Sequence, residues 1–248
     1  MKKKLHRGDR LIGTIISIPS PEISEIYANS GFDWLFIDLE HSALSVRDAQ
    51  LIIQSISMRT ECVIRVPSND EIWIKKALDI GASGIIIPQI KTAEEAKKAI
   101  RFCKYPPQGI RSVGIARAQG YGKKFQEYVD NANDDIAVII QIEHIDAVRN
   151  IEEIIQVKGI DCLFLGPYDL SASMGKVGLT TDAEVQKAIK HVKKNAETAN
   201  IPMGIFGPTA DAVQSYVQTG YTLIAVGIDT MLIQKMAKEI VENWKNID

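Results

Sequence analysis

Short β-branched runs that end abruptly in a charged residue constrain this chain more than any other feature. Val138-Ile-Ile-Gln-Ile-Glu143 and Leu163-Phe-Leu-Gly-Pro-Tyr-Asp169 are the clearest examples. A run of that length and composition suits a strand buried on both faces, as in a parallel sheet. A carboxylate at the exit of such a strand does not serve the core. It faces solvent, a partner charge or a ligand. Successive parallel strands deliver Glu143 and Asp169 to the same end of the sheet. Two hard oxygen donors that converge there suit a divalent cation, with room left for substrate and water.

The pattern recurs along the whole chain. Strands are predicted over Leu11–Ile18, Trp34–Leu39, Cys62–Val66, Gly84–Ile90, Ala137–Glu143, Cys162–Gly166, Pro202–Phe206 and Tyr221–Ile228. Helical spacing fills the intervals: Glu22–Asn29, a helix capped by Ser45, and one from Asn69 or Asp70 to Asp79. Thr92 and Glu95 form a capping-box pair for the next. Further helices are predicted over Phe125–Asn131, Ile145–Val157, Asp182–Ala199, Thr209–Thr219 and Met231–Trp244. Tyr105 to about Lys124 reads as a long loop, of the kind that is functional more often than idle, and Pro167–Gly175 reads as a second loop. Eight strand–helix units in strict alternation over 248 residues predict one (β/α)₈ TIM barrel domain spanning 1–248. A doubly wound open sheet would place a Gly-rich phosphate fingerprint after the first strand. Ile18-Pro-Ser-Pro21 stands there instead.

Bulk properties exclude several classes of partner. A net charge of -2 provides no basic footprint for nucleic acid. No apolar run approaches the ~20 residues that span a bilayer, so no membrane partner is expected. The basic N-terminal stretch lacks a following apolar segment, so no signal peptide is expected. Cys62, Cys103 and Cys162 show no metal-binding or redox spacing. They read as buried free thiols of a cytoplasmic protein.

In a (β/α)₈ barrel the C-terminal ends of the strands form the active face. The polar residues there are Asp38, Glu40 and His41, then Arg65, Gln89, Gln141, Glu143 and Asp169. Strands seven and eight add only Gly207-Pro208 and Asp229. No lysine stands at a strand end, which argues against a Schiff base, and no Ser-His-Asp or Cys-His grouping is visible. Glu143 and Asp169 read as metal ligands, or more plainly as ion-pair partners or helix caps. His41 reads as a base or as a loop histidine. Arg65 inside an apolar strand demands an anion, either a structural carboxylate or a substrate. Asp79 at a helix C-terminus opposes the helix dipole and therefore calls for a cation. Arg111 is expected to pin its own Pro-Gly loop.

These residues give the chain a family likeness. It resembles the class II, metal-dependent pyruvate aldolases of the 4-hydroxy-2-oxoheptanedioate / 2-keto-3-deoxy-sugar-acid aldolase type. The segments that carry the resemblance run in order along the chain. They are Gly31-Phe-Asp-Trp-Leu-Phe-Ile-Asp-Leu-Glu-His41, Arg65 before Pro67-Ser-Asn-Asp70, Tyr105-Pro-Pro-Gln-Gly-Ile-Arg-Ser-Val-Gly114, Gln141-Ile-Glu143, Gly166-Pro-Tyr-Asp-Leu-Ser171 and Val226-Gly-Ile-Asp229.

The resemblance implies reversible cleavage of a 4-hydroxy-2-oxo acid to pyruvate and an aldehyde. It implies that Glu143 and Asp169 hold a divalent cation (Mg²⁺, Mn²⁺ or Co²⁺). It makes His41 the base, Asp79 the carboxylate that orients it, and Arg65 the group that stabilises the enolate oxygen. Gln141, Gly166, Tyr168 and Asp169 would line the pyruvate site. It also implies a homo-oligomer, commonly a hexamer built from dimers that exchange the last helix. Departures from the pattern fall on the aldehyde side: Leu39 where a glycine is familiar, no tryptophan near Ser68, Tyr168, and Phe206-Gly-Pro208. With no second cationic pocket in the sequence, a dicarboxylate semialdehyde is not favoured over a neutral hydroxyaldehyde. The competing readings are a citrate-lyase-like lyase acting on a CoA thioester and a barrel that binds a keto acid or metal without turnover.

Overall fold

The computed structural model describes residues 1–56 and 60–247. Its eight strands are β1 (Leu11–Ile16), β2 (Trp34–Asp38), β3 (Glu61–Arg65), β4 (Gly84–Ile87), β5 (Ala137–Ile142), β6 (Cys162–Leu165), β7 (Met203–Gly207) and β8 (Leu223–Ile228). Each pairs in parallel with the next, and β8 pairs with β1, so the sheet closes into the expected barrel. The helices are α1 (Lys2–His6), α2 (Pro21–Asn29), α3 (Val46–Ile56), α4 (Glu71–Asp79), α5 (Ala93–Cys103), α6 (Phe125–Asp135), α7 (Ile145–Arg149), α8 (Ile151–Ile154), α9 (Pro167–Ser173), α10 (Ala183–Thr198), α11 (Ala210–Gln218) and α12 (Asp229–Lys245). No described helix is long and apolar enough to cross a membrane.

Alternate strand residues form two separate apolar layers, which is why the strands read as continuous hydrophobic runs. Leu35, Ile37, Ile64, Ile85, Ile87, Val138 and Ile140 point outward against the helices. Trp34, Phe36, Val63, Ile86, Ile139, Phe164 and Leu223 fill the barrel interior. Trp34 and Phe36 stack at 5.8 Å between ring centroids, and Phe164 meets Phe36 edge-on at 5.7 Å. Two glycines make room for these rings. A Cβ at Gly13 would lie 2.6 Å from Trp34 Cε2, and one at Gly204 would lie 2.4 Å from Phe164 Cδ2. At those positions a glycine is required by volume rather than by backbone conformation.

Several strands stop earlier than their apolar runs. β1 ends at Ile16, β4 at Ile87 before Pro88, and β6 at Leu165. The residues beyond leave the ladder and build the upper rim; Pro88 has no N–H to donate to a ladder. The helix expected over Ile145–Val157 is broken at Asn150, whose backbone leaves the helical region and whose Nδ2 donates to the Lys91 carbonyl. The Pro167–Gly175 segment, expected as a loop, contains helix α9, with Pro167 in its first turn where a missing N–H costs nothing. Helix α1 is too short for periodicity to betray it; its Leu5 is fully buried in the interior layer.

The barrel seam is closed by Asp229. Its carboxylate accepts from the Ser17 N–H (2.7 Å), the Ile18 N–H (2.8 Å) and the Ser17 hydroxyl (2.5 Å) across the β8–β1 junction, and from the Thr230 N–H (2.8 Å). Gly204→Ala is expected to destabilise the fold by about 1–3 kcal/mol, the usual cost of overpacking a core, because Phe164 must move. Chemical denaturation monitored by circular dichroism checks this; an unchanged midpoint would show that the interior has slack.

Candidate active site

The register of β2 against β3 sets Asp38 directly beside Arg65. Arg65 Nε donates to Asp38 Oδ1 (2.9 Å) and Nη2 donates to Asp38 Oδ2 (2.7 Å), both within a buried setting. This two-point geometry is the strong form of the interaction. The Asp38 Oδ1 atom also accepts from the Glu40 and His41 amides, so one carboxylate holds the guanidinium and shapes the turn after β2. Burial pushes the Asp38 carboxyl up, but the Arg65 hydrogen bonds and charge and the two amides outweigh it and hold it below the ordinary aspartate range. The anion that Arg65 demands is therefore a structural carboxylate. The guanidinium also lies 5.2 Å above the Phe36 ring and lines the cleft at the barrel top.

Glu143, just past β5, is buried and held on both oxygens. The Gln89 backbone N–H donates to Oε1 (2.7 Å), and the Gln141 side-chain amide donates to Oε2. Gly166 lets the chain pass close by: a Cβ there would lie 2.9 Å from Glu143 Cβ. Burial raises the Glu143 pKa, the Gln89 amide opposes that shift, and the negative charge of Asp169 adds to it. Asp169 sits in the first turn of α9, where the helix dipole favours an acid.

Glu40 completes the acidic rim. Its carboxyl is pushed up to about 7, first by burial, opposed by Arg65, and then by the charges of Glu143, Asp38 and Asp169. Arg65 Nε lies 3.2 Å from Glu40 Oε2, an ion-pair distance, yet that oxygen receives no directed hydrogen bond.

This arrangement fits a divalent cation. Two carboxylates lie within electrostatic reach of each other, one of them strained by burial. Two buried acceptors at the same place, Glu40 Oε2 and Gln141 Oε1, have no hydrogen-bond partner. The site is short of positive charge and of donors, which a hard cation with its waters or an oxygen-rich ligand supplies. Among the described residues no cluster of three or more His, Cys, Asp or Glu side chains could hold a metal. With Glu143 and Asp169 as its only carboxylates, a cation bound here would take its remaining donors from substrate and solvent.

The cleft itself has a volume of about 320 Å³. Of the residues expected to act there, His41, Arg65, Gln141, Gly166, Tyr168 and Asp169 line it. Glu143 lies beneath them, against Gly166. His41 is exposed, and its Nε2 lies 3.7 Å from Glu40 Oε2. The structure does not bring Asp79 to His41 within the chain. Asp79 is the last residue of α4, which returns to the opposite end of the barrel, and its cation is Arg111 (2.7 Å). The dipole misfit at Asp79 is thus answered by a guanidinium, and the carboxylate beside the imidazole is Glu40. Arg111 does more than pin its own loop. It is buried between the Tyr105 and Tyr128 rings and ties that loop to α4 and α6.

Two contributors escaped sequence reasoning. Asp229 looked like little more than a helix start, although an acid at the junction of a strand and a helix is a capping signal. Gln89 reads from sequence as a rim polar side chain, yet it acts through its backbone, held at φ 58 in the left-handed region that costs a side-chain-bearing residue about 1–2 kcal/mol. Its own side chain is exposed.

The fold and the acidic rim define a (β/α)₈ barrel with an acid-lined cleft at the C-terminal ends of its strands. Residues 13–235 match the model of the HpcH/HpaI aldolase/citrate lyase family. The chain is 37% identical over 248 residues to the 4-hydroxy-2-oxovalerate aldolase of Rhodococcus jostii (strain RHA1), covering 99% of this chain and 96% of that protein. It is 36% identical over 248 residues to the 4-hydroxy-2-oxo-heptane-1,7-dioate aldolase of Shigella flexneri, covering 99% and 92%. A crystal structure of an HpcH/HpaI aldolase/citrate lyase family protein from Burkholderia cenocepacia J2315 superposes with a TM-score of 0.95 at 33% identity, covering 99% and 98%. The chain belongs to the HpcH/HpaI aldolase/citrate lyase family.

The strained turn at Gln89 separates backbone from side chain in one experiment. Gln89→Val is expected to be about 1–2 kcal/mol less stable than Gln89→Gly, because glycine adopts φ 58 freely. Urea titration of both variants checks it. Equal stabilities would show that the turn holding Glu143 is not strained.

Proposed function

We propose that the protein is a divalent-metal-dependent aldolase that reversibly cleaves a 4-hydroxy-2-oxo acid to pyruvate and an aldehyde. It is an aldolase by family: relatives 36–37% identical along nearly the whole chain carry that activity in their names. The observation that carries the finer reading is Glu143, buried, held on both oxygens and coupled to Asp169 and Arg65 beside one cleft.

Glu143 and Asp169 are the residues that would hold Mg²⁺, Mn²⁺ or Co²⁺, and the chemistry such an ion supplies is Lewis-acid stabilisation of negative charge on the keto oxygen of the substrate. Arg65 adds a fixed positive charge toward the same developing charge. Because Asp38 holds Nε and Nη2, the guanidinium is already in place before the reaction begins. His41 takes the proton from the C4 hydroxyl; the C3–C4 bond breaks, its electron pair moves to the C2 carbonyl, and the aldehyde departs. The imidazolium of His41 returns its proton to C3, which completes pyruvate and restores the neutral base. Glu40 stands beside His41 and steadies the imidazolium formed on it. Gln141, Gly166 and Tyr168 bound the pyruvyl end. Three buried free thiols accord with a reducing cytoplasm.

Self-association is the second part of the reading. Helix α12 buries Asp229 alone and exposes Ile233, Met236, Ile240 and Trp244 along one stripe. Between α11 and the β8–β1 strands, an apolar groove of about 390 Å³ runs past Ile12, Val217 and Val226. Exchange of α12 between copies of the chain would cover both. The double substitution Ile240→Asp with Trp244→Asp is expected to convert a native multimer to a monomer by size-exclusion chromatography with light scattering; a monomeric native protein would overturn this part.

The catalytic part is tested by proton exchange. Incubated with pyruvate and Mg²⁺ or Mn²⁺ in deuterated water, the native protein is expected to remove the methyl proton signal. His41→Ala is expected to slow that loss at least about 100-fold, the lower end of what a general base contributes, while pyruvate binding persists. No exchange with any divalent ion would sink the reading.

A further inference from the structure

The cleft is chemically divided. Its β2–β6 side carries the acids and Arg65. Its β7–β8–β1 side presents Phe206, Ile228, Ile15 and the Thr230 and Ser17 hydroxyls. Of the described residues that line the cleft, Arg65 is the only lysine or arginine, and two of its nitrogens already serve Asp38. The nearest acid on the apolar side, Asp229, is fully buried and turned into three backbone N–H groups and the Ser17 hydroxyl. It neither repels nor recruits through a free oxygen.

The charge balance follows from these residues. Asp38 and Glu40 pair with the one guanidinium, Glu143 acts on it, and Asp169 adds a further negative charge beside Glu40 and Glu143. A dication would be answered by Glu143 and Asp169 themselves, and the pyruvyl carboxylate adds a further negative charge. Among the described residues that line the cleft in one chain, none remains to neutralise a second carboxylate at the far end of the substrate. Placing one against Phe206 and Ile228 strips water from a charge without supplying a partner. An alkyl or hydroxyalkyl group loses nothing there and gains contact with the ring and the branched side chain.

We propose that the acceptor is an uncharged aldehyde, with a short alkyl or hydroxyalkyl substituent seated on Phe206, Ile228 and Ile15, and that the site discriminates against an aldehyde bearing a carboxylate. This rests on the aldolase reading and deepens it. The test measures kcat/KM for pyruvate addition to propionaldehyde, glycolaldehyde and succinic semialdehyde, with pyruvate methyl exchange followed in parallel. The uncharged acceptors are expected to exceed the semialdehyde by about tenfold or more, the factor that corresponds to 1.4 kcal/mol of lost stabilisation. Thr230→Arg, at an exposed position on the apolar wall, is expected to raise semialdehyde use relative to propionaldehyde by about the same factor. Equal or preferred use of the semialdehyde by the native protein, or an unmoved ratio in Thr230→Arg, would overturn the proposal while exchange continued. Loss of exchange itself would instead overturn the aldolase reading on which it stands.

Discussion

The upper half of the barrel depends on one buried ion pair. Asp38 and Arg65 sit side by side because β2 and β3 pair in that register. A lone guanidinium at this depth would be severely destabilising, and a lone carboxylate nearly as much. Together, with two aligned hydrogen bonds, they satisfy each other, and Asp38 still has capacity for the Glu40 and His41 amides. One pairing therefore sets the position of the cation, the shape of the β2 turn and the direction in which the imidazole leaves it.

Beneath that pair, the floor is aromatic. Trp34, Phe36 and Phe164 occupy the interior layer, and Gly13 and Gly204 yield the volume they need. The rings do two things at once. They pack the barrel interior, and Phe36 gives Arg65 a π face. The low-polarity floor is also why the acids above it are perturbed. Burial leads the causes that raise both Glu40 and Glu143, and the mutual repulsion of the carboxylates follows. A site in that condition holds a standing demand for positive charge, which is the property an enolate-stabilising centre requires.

Much of this was legible before the structure. The eight apolar runs announced a two-sided parallel sheet, and the acids at their exits, Glu143 and Asp169, marked the end of the barrel where the cleft lies. Arg65 announced its need for an anion. What escaped was the identity of partners. The resemblance pairs Asp79 with His41; within one chain Arg111 lies on Asp79 and Glu40 lies beside His41. The backbone role of Gln89 escaped because an amide leaves no trace in residue type: the donor to Glu143 would be present with nearly any side chain, and only its left-handed φ aims it. Helix α9 escaped because Gly166-Pro167 reads as turn chemistry, although the same proline begins a helix.

By itself the sequence determined the periodicity, and with it the barrel, since a run hydrophobic on every residue must be covered on both faces. It determined also that carboxylates, one imidazole and one guanidinium share the C-terminal rim, because parallel strands carry every exit to the same end. Only the tertiary structure decided which of these groups touch. Register chose Asp38 for Arg65, the close pass of Gly166 placed Glu143, and the return of α4 carried Asp79 to the opposite end of the barrel. Contact between charges depends on distances of a few ångströms between segments far apart in the chain, and residue spacing along the chain does not encode those distances.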